Sequence, residues 1–354
     1  MASSSNALMK GTCLKIESPI GDAISRIRFA PKSNNLLISS WDSVLRLYDV
    51  DSSILRLEAP SEAALLDCCF QDDSAAFSVG SDSCIRRYDF HSGTHNIIGN
   101  HDDIATSVEY SEETQLFRQY MSFHCKNGAN LWTLKSKCYS VFSSALAFAV
   151  ESMSLCGLYL IVAVGTSINM YDIRNLERPV QEKKSYMDHQ IGCVCSFPDC
   201  KGYAIGSIDG RVKLEFLNPS DANLMGYIFR CQPKSKDGRN HLVAVNDIVF
   251  HPFQYGAFIT GDNDGYTIMW DAQSRKRRFE LPRYPNSVAS LSYNHRGQLL
   301  AVASSYTYQE ANEIEDPPQI FIHNMDENYV GSFSAGSSGL NYAENQSQIL
   351  YVTP

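Results

Sequence analysis

The chain has 354 residues, more than twice the roughly 150 of an average domain, which excludes a minimal staple-dependent fold and predicts two domains or one large repetitive one. Hydrophobic residues make up 44% and charged residues 19%, enough apolar surface for a full core and too little charge for general disorder. With 30 Lys and Arg against 39 Asp and Glu, the net charge of −9 excludes attraction to nucleic acid by bulk charge, so no direct nucleic-acid partner is expected and phosphate binding must come from local basic clusters.

The 11 cysteines are odd in number, and Cys68-Cys69 and Cys193-Val194-Cys195 are not spaced like a secreted disulfide framework, so reduced thiols in cytosol or nucleus are expected. Met1 to Lys10 is rich in Ser, Ala and Asn and has no apolar core of signal-peptide length. The longest apolar run, around Ser144 to Val150, ends at Glu151, short of the ~20 residues of a membrane span. A soluble chain with no membrane partner follows.

In chain order, Gly11 to Glu17 comes first and alternates at Cys13, Leu14 and Ile16, as a strand would; it is expected to pair with the last unit. A first unit follows, with strands at Ile24 to Phe29, Leu36 to Ser40 and Leu45 to Asp49, and a turn at Ser40-Trp41-Asp42-Ser43. The same pattern returns at Leu65 to Phe70, Ala76 to Val79, the turn Gly80 to Ser83, and Ile85 to Asp89. A weaker copy ends at Ala129 to Thr133, a full one at Ile168 to Asp172, and another weaker one at Val212 to Phe216 after the turn Ser207 to Gly210. A sixth unit runs through Val245 to Phe250, Ala257 to Thr260, the turn Gly261 to Gly265, and Thr267 to Asp271. The seventh has Val288 to Tyr293, Leu299 to Ala303 and Ile320 to Asn324. Asx side chains and glycine at the turns favour tight hairpins, so each unit reads as a small antiparallel sheet.

Most units end in an aromatic-acidic pair, Tyr48-Asp49, Tyr88-Asp89, Tyr171-Asp172 or Trp270-Asp271, and equivalent positions recur at steps of 39 to 55 residues. This is the WD40 pattern, and it predicts an all-β fold, a seven-bladed β-propeller closed by the N-terminal strand. The propeller is expected over 1–333. The composition after about Gly331, rich in Gly and Ser, predicts a flexible C-terminal tail over 334–354.

No phosphate-cradling loop, dinucleotide fingerprint, nucleophile elbow or zinc-protease helix occurs in the chain, so no enzyme and no cofactor are expected. His91 and His95 have a metal-like spacing but fall in a turn, with no helix to place both on one face. Cys193 and Cys195 alternate with Val194 as core-facing strand residues would, and with Cys200 nearby they read as ordinary buried thiols. Thr260 to Gly265, with Asp271 at the twelfth position, resembles a calcium loop, yet its first ligand is Thr and its last lacks the reach of Glu; a hairpin turn is expected. The basic run Arg275-Lys-Arg-Arg278 is expected as a solvated loop between two outer strands, the other reading being an import signal or phosphate contact. The acidic insert Glu310 to Asp316 is expected as a solvated loop.

Roughly residues 20 to 325 resemble one WD40 family, the mitotic spindle-checkpoint protein that is third of the Bub (budding uninhibited by benzimidazole) set. The likeness is carried by Ser39-Ser-Trp-Asp-Ser-Val-Leu-Arg-Leu-Tyr-Asp-Val50, Gly206-Ser-Ile-Asp-Gly-Arg-Val212, Tyr227-Ile-Phe-Arg-Cys231, Ala244 to His251, and Arg283 to Tyr293 with Leu300 to Tyr306. The sister family is the messenger-RNA export and nuclear-pore factor, but Ser-Ser-Trp-Asp and Arg-Tyr-Pro-x-Ser are more similar to the checkpoint branch. The resemblance implies a monomeric adaptor, working within a complex in the nucleus and at kinetochores, that binds two ligands on one face. One is a Glu-rich motif of checkpoint kinases or kinase-like proteins; the other is a phosphorylated Met-Glu-Leu-Thr repeat on the kinetochore scaffold. It places Trp41 on that face, Arg211 against the Glu-rich peptide and Arg230 against the phosphothreonine. From spacing alone, the two arginines could equally pair with neighbouring Asp or Glu. The third unit departs from the family, reading Met121-Ser-Phe123-His124 where Gly-Ser-Trp-Asp is usual, so a second Trp is missing. Lys234, Lys236 and Arg239 mark an altered loop, and Tyr255-Gly256 stands where some members carry Lys. The alternatives are the nuclear-pore export adaptor and, from a different class, a ubiquitin-ligase substrate receptor.

Overall fold

The computed structural model describes residues 11–100, 104–111, 120–125, 128–133, 138–140, 150–175, 178–217, 226–232, 235–236, 239–240, 242–307 and 316–325. The expected tail, the side chains of the altered third unit and of the Lys234 to Arg239 loop, and the acidic insert before Asp316 lie outside the described residues. The chain divides into a compact unit, Met1–Asn324, and a second one, Met325–Pro354.

The described strands make an all-β propeller of four-stranded antiparallel sheets with one short ribbon, Ser235–Lys236 with Arg239–Asn240. Sheet 1 is Ile24–Phe29, Asn35–Ser40, Val44–Asp49 and Ile54–Pro60; sheet 2 is Leu65–Asp72, Ala75–Gly80, Cys84–Asp89 and Thr94–Asn100. Sheet 3 is Ser107–Ser111, Tyr120–Cys125, Gly128–Thr133 and Cys138–Ser140; sheet 4 is Val150–Cys156, Tyr159–Val164, Ser167–Asp172 and Gln181–Lys184. Sheet 5 is Ile191–Ser196, Gly202–Ser207, Arg211–Phe216 and Tyr227–Arg230; sheet 6 is Val245–Phe250, Ala257–Asp262, Thr267–Asp271 and Lys276–Glu280. Sheet 7 has Val288–Tyr293, Leu299–Ser304 and Gln319–Asn324, with Thr12–Cys13 antiparallel to the last, Thr12 opposite Ile322.

In each of sheets 1 to 6 the strand order follows the sequence, so the first strand is an edge. These first strands pack against one another in a cycle, sheet 1 on 2 and onward to sheet 7 on 1. The apolar cores therefore lie between sheets: Leu37, Leu45 and Leu47 meet Cys68 and Ala76, while Phe197 and Val212 meet Ile248 and Phe258. This explains why alternation fades in the inner strands. Both faces are covered, and Ala75–Gly80 and Ala257–Asp262 are buried at every residue, whereas the outer strand Ile54–Pro60 alternates. Cys193 and Val194 are accordingly both buried, while Cys195 is only half-buried, so the expected in-and-out alternation there is corrected.

The aromatic-acidic pair divides two tasks. Tyr48, Tyr88, Tyr171 and Trp270 are buried, with Tyr88 hydroxyl 2.9 Å from Ser78 Oγ and Trp270 Nε1 donating to Thr260 Oγ1 at 2.9 Å. The following carboxylate accepts backbone N–H groups of the next turn: Asp49 from Asp51 and Ser52, Asp89 from His91 and Ser92, Asp271 from Gln273 and Ser274. His91 thus sits in a capped turn, and His95 stacks near Tyr88, ring centroids 5.2 Å apart.

An edge strand at the centre leaves a row of backbone N–H groups that need acceptors. A register shift recurs in the first strands, between Ile24 and Arg26, Leu65 and Asp67, Val150 and Ser152, Ile191 and Cys193, Val245 and Asp247, and Val288 and Ser290. In every one of these the residue after the shift reaches the next sheet. Asp67 Oδ2 accepts Val108 N–H at 2.9 Å, Ser152 Oγ accepts Val194 N–H at 3.1 Å, Asp247 Oδ2 accepts Leu291 N–H at 2.8 Å, and Ser290 Oγ accepts Ile27 N–H at 3.3 Å. Cys193 Sγ lies 3.6 Å from Val245 O, and Arg26 Nε donates to Asp67 Oδ1 at 3.1 Å. Arg26 also reaches Asp247 at 3.2 Å, linking sheets 1, 2 and 6. Burial works against its charge, but Asp67 and Asp247 more than offset this and hold its pKa above the usual value.

We expect Asp247→Ala to lower the unfolding free energy by about 3 kcal/mol, because Leu291 N–H and Ser290 Oγ lose an acceptor and Arg26 a carboxylate. Ser152→Ala, which removes a single acceptor, should cost about 1 kcal/mol. Urea unfolding of the two variants checks the ordering.

Candidate rim site on sheet 5

Strand alternation puts the turns between second and third strands on one rim of the propeller, together with the ends of the fourth strands. Trp41, Arg211 and Arg230 all belong to that rim, Trp41 on sheet 1 and the arginines on sheet 5. Trp41 is half-buried, and its backbone N–H donates to Ala23 O at 2.8 Å. Beside it Asp42 accepts two bonds from Arg46, at 2.8 and 3.1 Å, and one from Gly21 N at 3.0 Å. Asp82 and Arg86 repeat this pair in sheet 2.

Sheet 5 is built differently. The residue four after Asp209 is Lys213, which turns to Glu215 at 2.8 Å, and the guanidinium comes from Arg211 instead. Arg211 faces Arg230 directly across the strand pair, a juxtaposition of like charges that would repel if left alone. Asp209 lies between them. Its Oδ2 accepts Arg211 Nε and Arg230 Nη2, each at 2.8 Å, while its backbone carbonyl accepts Arg230 Nη1 and its Oδ1 accepts Ser207 Oγ. His189 Nε2 lies 4.0 Å from the same Oδ2. Asp209 is only 2% exposed, against 20% and 24% for the arginine side chains. Burial would raise its pKa, but the Ser207 and Arg230 hydrogen bonds and both guanidinium charges outweigh it and hold the carboxyl below its usual range.

The turn that carries Asp209 needs glycine after it. Gly210 has φ +84°, and a Cβ there would stand 2.5 Å from Val243 O; Ser43 and Ser83 also adopt positive φ at the matching positions. Arg211 donates a second time, from Nη2 to Asp188 Oδ2 at 3.2 Å. The pairing of both arginines with acidic neighbours, one of the two readings from spacing, is therefore present, and the rim keeps two guanidiniums around one buried carboxylate. The sequence marks Ser207 and Asp209 only as turn residues, and Asp188 and His189 carry no signal of their own. The cue available was the Asp-Gly-Arg spacing in place of the Asp-to-Arg step of four seen in sheets 1 and 2.

Other candidates fall elsewhere. Asp262 belongs to the hairpin of sheet 6: Oδ1 accepts the N–H groups of Asp264 at 3.1 Å and Tyr266 at 2.9 Å, and Oδ2 accepts Gln232 Nε2 at 3.2 Å. Its pKa is pushed up to about 6, chiefly by burial. Among the described residues no group of three or more His, Cys, Asp or Glu could hold a metal. The basic run is corrected from loop to strand, because Lys276–Glu280 is the outer strand of sheet 6. There Arg278 pairs with Asp271 and Arg277 with Glu280, and Arg275 in the preceding turn lies 4.7 Å from the Tyr227 ring centroid. Tyr255 lies in a first-to-second-strand loop, on the opposite rim from Arg211, where with Phe253 it borders a cavity of about 230 Å³.

With this geometry in place, comparison with known proteins is informative. The WD domain, G-beta repeat family model matches residues 11–49. Mitotic checkpoint protein BUB3.3 of Arabidopsis thaliana is 50% identical over 317 residues, spanning 90% of this chain and 100% of that protein. The chain belongs to the Bub3 family of WD40 mitotic checkpoint proteins. Two further Bub3 relatives agree: BUB3.1 of the same plant is 40% identical over 88% of this chain and 93% of its own length, and bub3 of Dictyostelium discoideum 34% identical over 88% and 94%.

Two outcomes follow for this Bub3-family rim and its neighbour. Asp209→Ala should destabilise by about 2–3 kcal/mol at neutral pH, since it leaves two facing guanidiniums, partly screened by solvent, without their counterion. Because the folded pKa of Asp209 is depressed, the difference from wild type should be full above about pH 4 and shrink as pH falls through the folded pKa, in urea titrations at several pH values. Asp262 has the opposite sign: its folded pKa is raised, so the native state loses stability as pH rises from about 4 to 6. Asp262→Asn should therefore compare better with wild type at pH 7.5 than at pH 4, by on the order of 2 kcal/mol.

Proposed function

We propose that this chain is a non-catalytic adaptor of the spindle assembly checkpoint, acting in the nucleus and at kinetochores in mitosis. In this reading the four-stranded sheets form a seven-bladed ring completed by the N-terminal strand, the propeller extends over 1–333, and 334–354 is a flexible tail. The work is binding and localisation: the rim receives a Glu-rich motif of checkpoint kinase-like proteins and a phosphorylated Met-Glu-Leu-Thr repeat of the kinetochore scaffold. The named role of the Bub3 relatives supports the checkpoint assignment.

The observation that carries the binding part is the charge count around Asp209. Two guanidiniums face one buried carboxylate, and both remain about one-fifth to one-quarter exposed; the second positive charge is met only by the exposed Asp188, whose place a ligand anion can take. Arg211 offers its outer edge to a partner Glu, while Arg230, held at Nη1 and Nη2 on Asp209, sits close enough to share a phosphate. Trp41 supplies an apolar contact from sheet 1 on the same rim.

Fluorescence anisotropy with labelled peptides tests this. Arg211→Ala should weaken a Glu-rich peptide by more than about 1 kcal/mol, and Arg230→Ala should abolish the preference for the phosphorylated over the unphosphorylated Met-Glu-Leu-Thr peptide. Equal binding of the two peptides by the wild-type chain would refute the phosphate assignment.

A further inference from the structure

Arg211 is held at two edges by carboxylates of opposite character. Its Nε lies 2.8 Å from Asp209, which is 2% exposed; its Nη2 lies 3.2 Å from Asp188, which is 85% exposed. The first contact is desolvated and shared with Arg230, whereas the second faces water, where an ion pair is weak and screened. An incoming carboxylate would therefore exchange with Asp188 and leave Asp209 in place.

The loop carrying Asp188 joins the last strand of sheet 4 to the first of sheet 5 and is firmly built. Ser185 N–H donates to Thr166 O at 2.9 Å, Met187 N–H to Ser185 Oγ at 3.1 Å, and Ile191 N–H to Gly165 O at 2.9 Å. Ser185 and Met187 are buried, so the alternate residues Tyr186 and Asp188 turn outward. They fall on alternate residues of Arg211–Phe216: the Tyr186 ring centroid lies 5.3 Å from Lys213 Nζ, and Asp188 reaches Arg211. Tyr186 holds φ +57° while 81% exposed, a conformation unfavourable for a bulky side chain with no packing to reward it. The loop is thus laid along the strand that carries the binding arginine, and the contact it makes there is an acidic one.

We propose that Asp188 is a specificity-determining residue of this rim, a built-in stand-in for the ligand carboxylate that occupies the outer edge of Arg211 and must be displaced for a Glu side chain to bind. The proposal rests on the reading of Arg211 as the receiver of a partner Glu. Asp188 raises the threshold for acidic ligands: one isolated carboxylate gains little by replacing another, and a peptide that adds contacts beyond Arg211 is selected.

The test is a double-mutant cycle on the full chain with a synthetic, unphosphorylated Glu-rich peptide, using wild type, Asp188→Asn, Arg211→Ala and the double variant. Asp188→Asn should bind roughly two- to fivefold more tightly than wild type, the range spanned by exchanging one exposed ion pair, and the gain should vanish in the Arg211→Ala background. Binding by Asp188→Asn alone, with none by wild type, would likewise support the stand-in role. If Arg211→Ala weakens binding while Asp188→Asn equals wild type, the role of Asp188 is overturned and that of Arg211 stands. If Arg211→Ala binds like wild type, or if neither wild type nor Asp188→Asn binds, both fall. Asp188 is 85% exposed, so its replacement by Asn leaves the fold intact, which thermal unfolding verifies.

Discussion

The structure depends on how its sheet edges are satisfied at the centre. An antiparallel sheet that begins at its first strand presents an unpaired ladder there, and a buried N–H without an acceptor costs as much as a lost hydrogen bond. Here the acceptor is a side chain of the preceding sheet, delivered by a register shift in the strand that carries it. Asp67 and Asp247 show the device in its fullest form: each accepts its own sheet's next N–H, at Cys68 and Ile248, and then a serine hydroxyl and an N–H on the following sheet, at Ser107 and Val108 or Ser290 and Leu291. Arg26 pairs with both carboxylates. The central charges are therefore part of the packing between sheets.

At the rim, the same economy of one carboxylate serving several donors produces a different result. In sheets 1 and 2 one arginine meets one aspartate, and the turn is neutral. In sheet 5 a second arginine arrives from the neighbouring strand, so Asp209 is oversubscribed and the second positive charge is met only by the solvent-exposed Asp188. A small change of spacing, Asp-Gly-Arg instead of Asp followed by Arg at the fourth place, turns a structural clasp into a candidate anion receiver. The aspartate cannot be dispensed with, because Arg211 and Arg230 stand directly opposite each other.

Much of the fold could be read from the sequence, because the aromatic-acidic pair and the turn residues recur and each has a local cause: a buried ring, a capped turn, a positive φ. The strands read from residues 24–29, 245–250 and 288–293 coincide with strands of the structure. The inter-sheet links were not read, although their trace is present as a polar residue two places after an apolar one, at Ile24 and Arg26, Leu65 and Asp67, or Val288 and Ser290. Periodicity treats such a residue as solvent-facing, and only the closeness of the next sheet makes it a buried partner. The same limit applies at the rim. The arginines could be named, but Asp209, two residues from Arg211, is 21 from Arg230, and Asp188 is 23 from Arg211, so their convergence is made by the fold. The basic run at Arg275 was misassigned because charge density suggests solvent and says nothing about a strand whose outer edge is itself solvated.

The links between sheets 7 and 1 differ from the others in one respect. Ser290 and Ser292 accept the N–H groups of Ile27 and Phe29 across a separation of 263 residues, whereas the side-chain-to-backbone links at Val108, Val194 and Leu291 join residues 41 to 44 apart. Each of the shorter links can form as soon as two successive sheets have been synthesised, at modest loop-closure entropy. The long one requires nearly the whole repeat array to have emerged, as does the pairing of Thr12 with Ile322, so closure of this seam is a step of high contact order. Until then the first strand of sheet 1 keeps an open edge, so the nascent chain passes through a stage that is folded almost throughout and sticky at one seam.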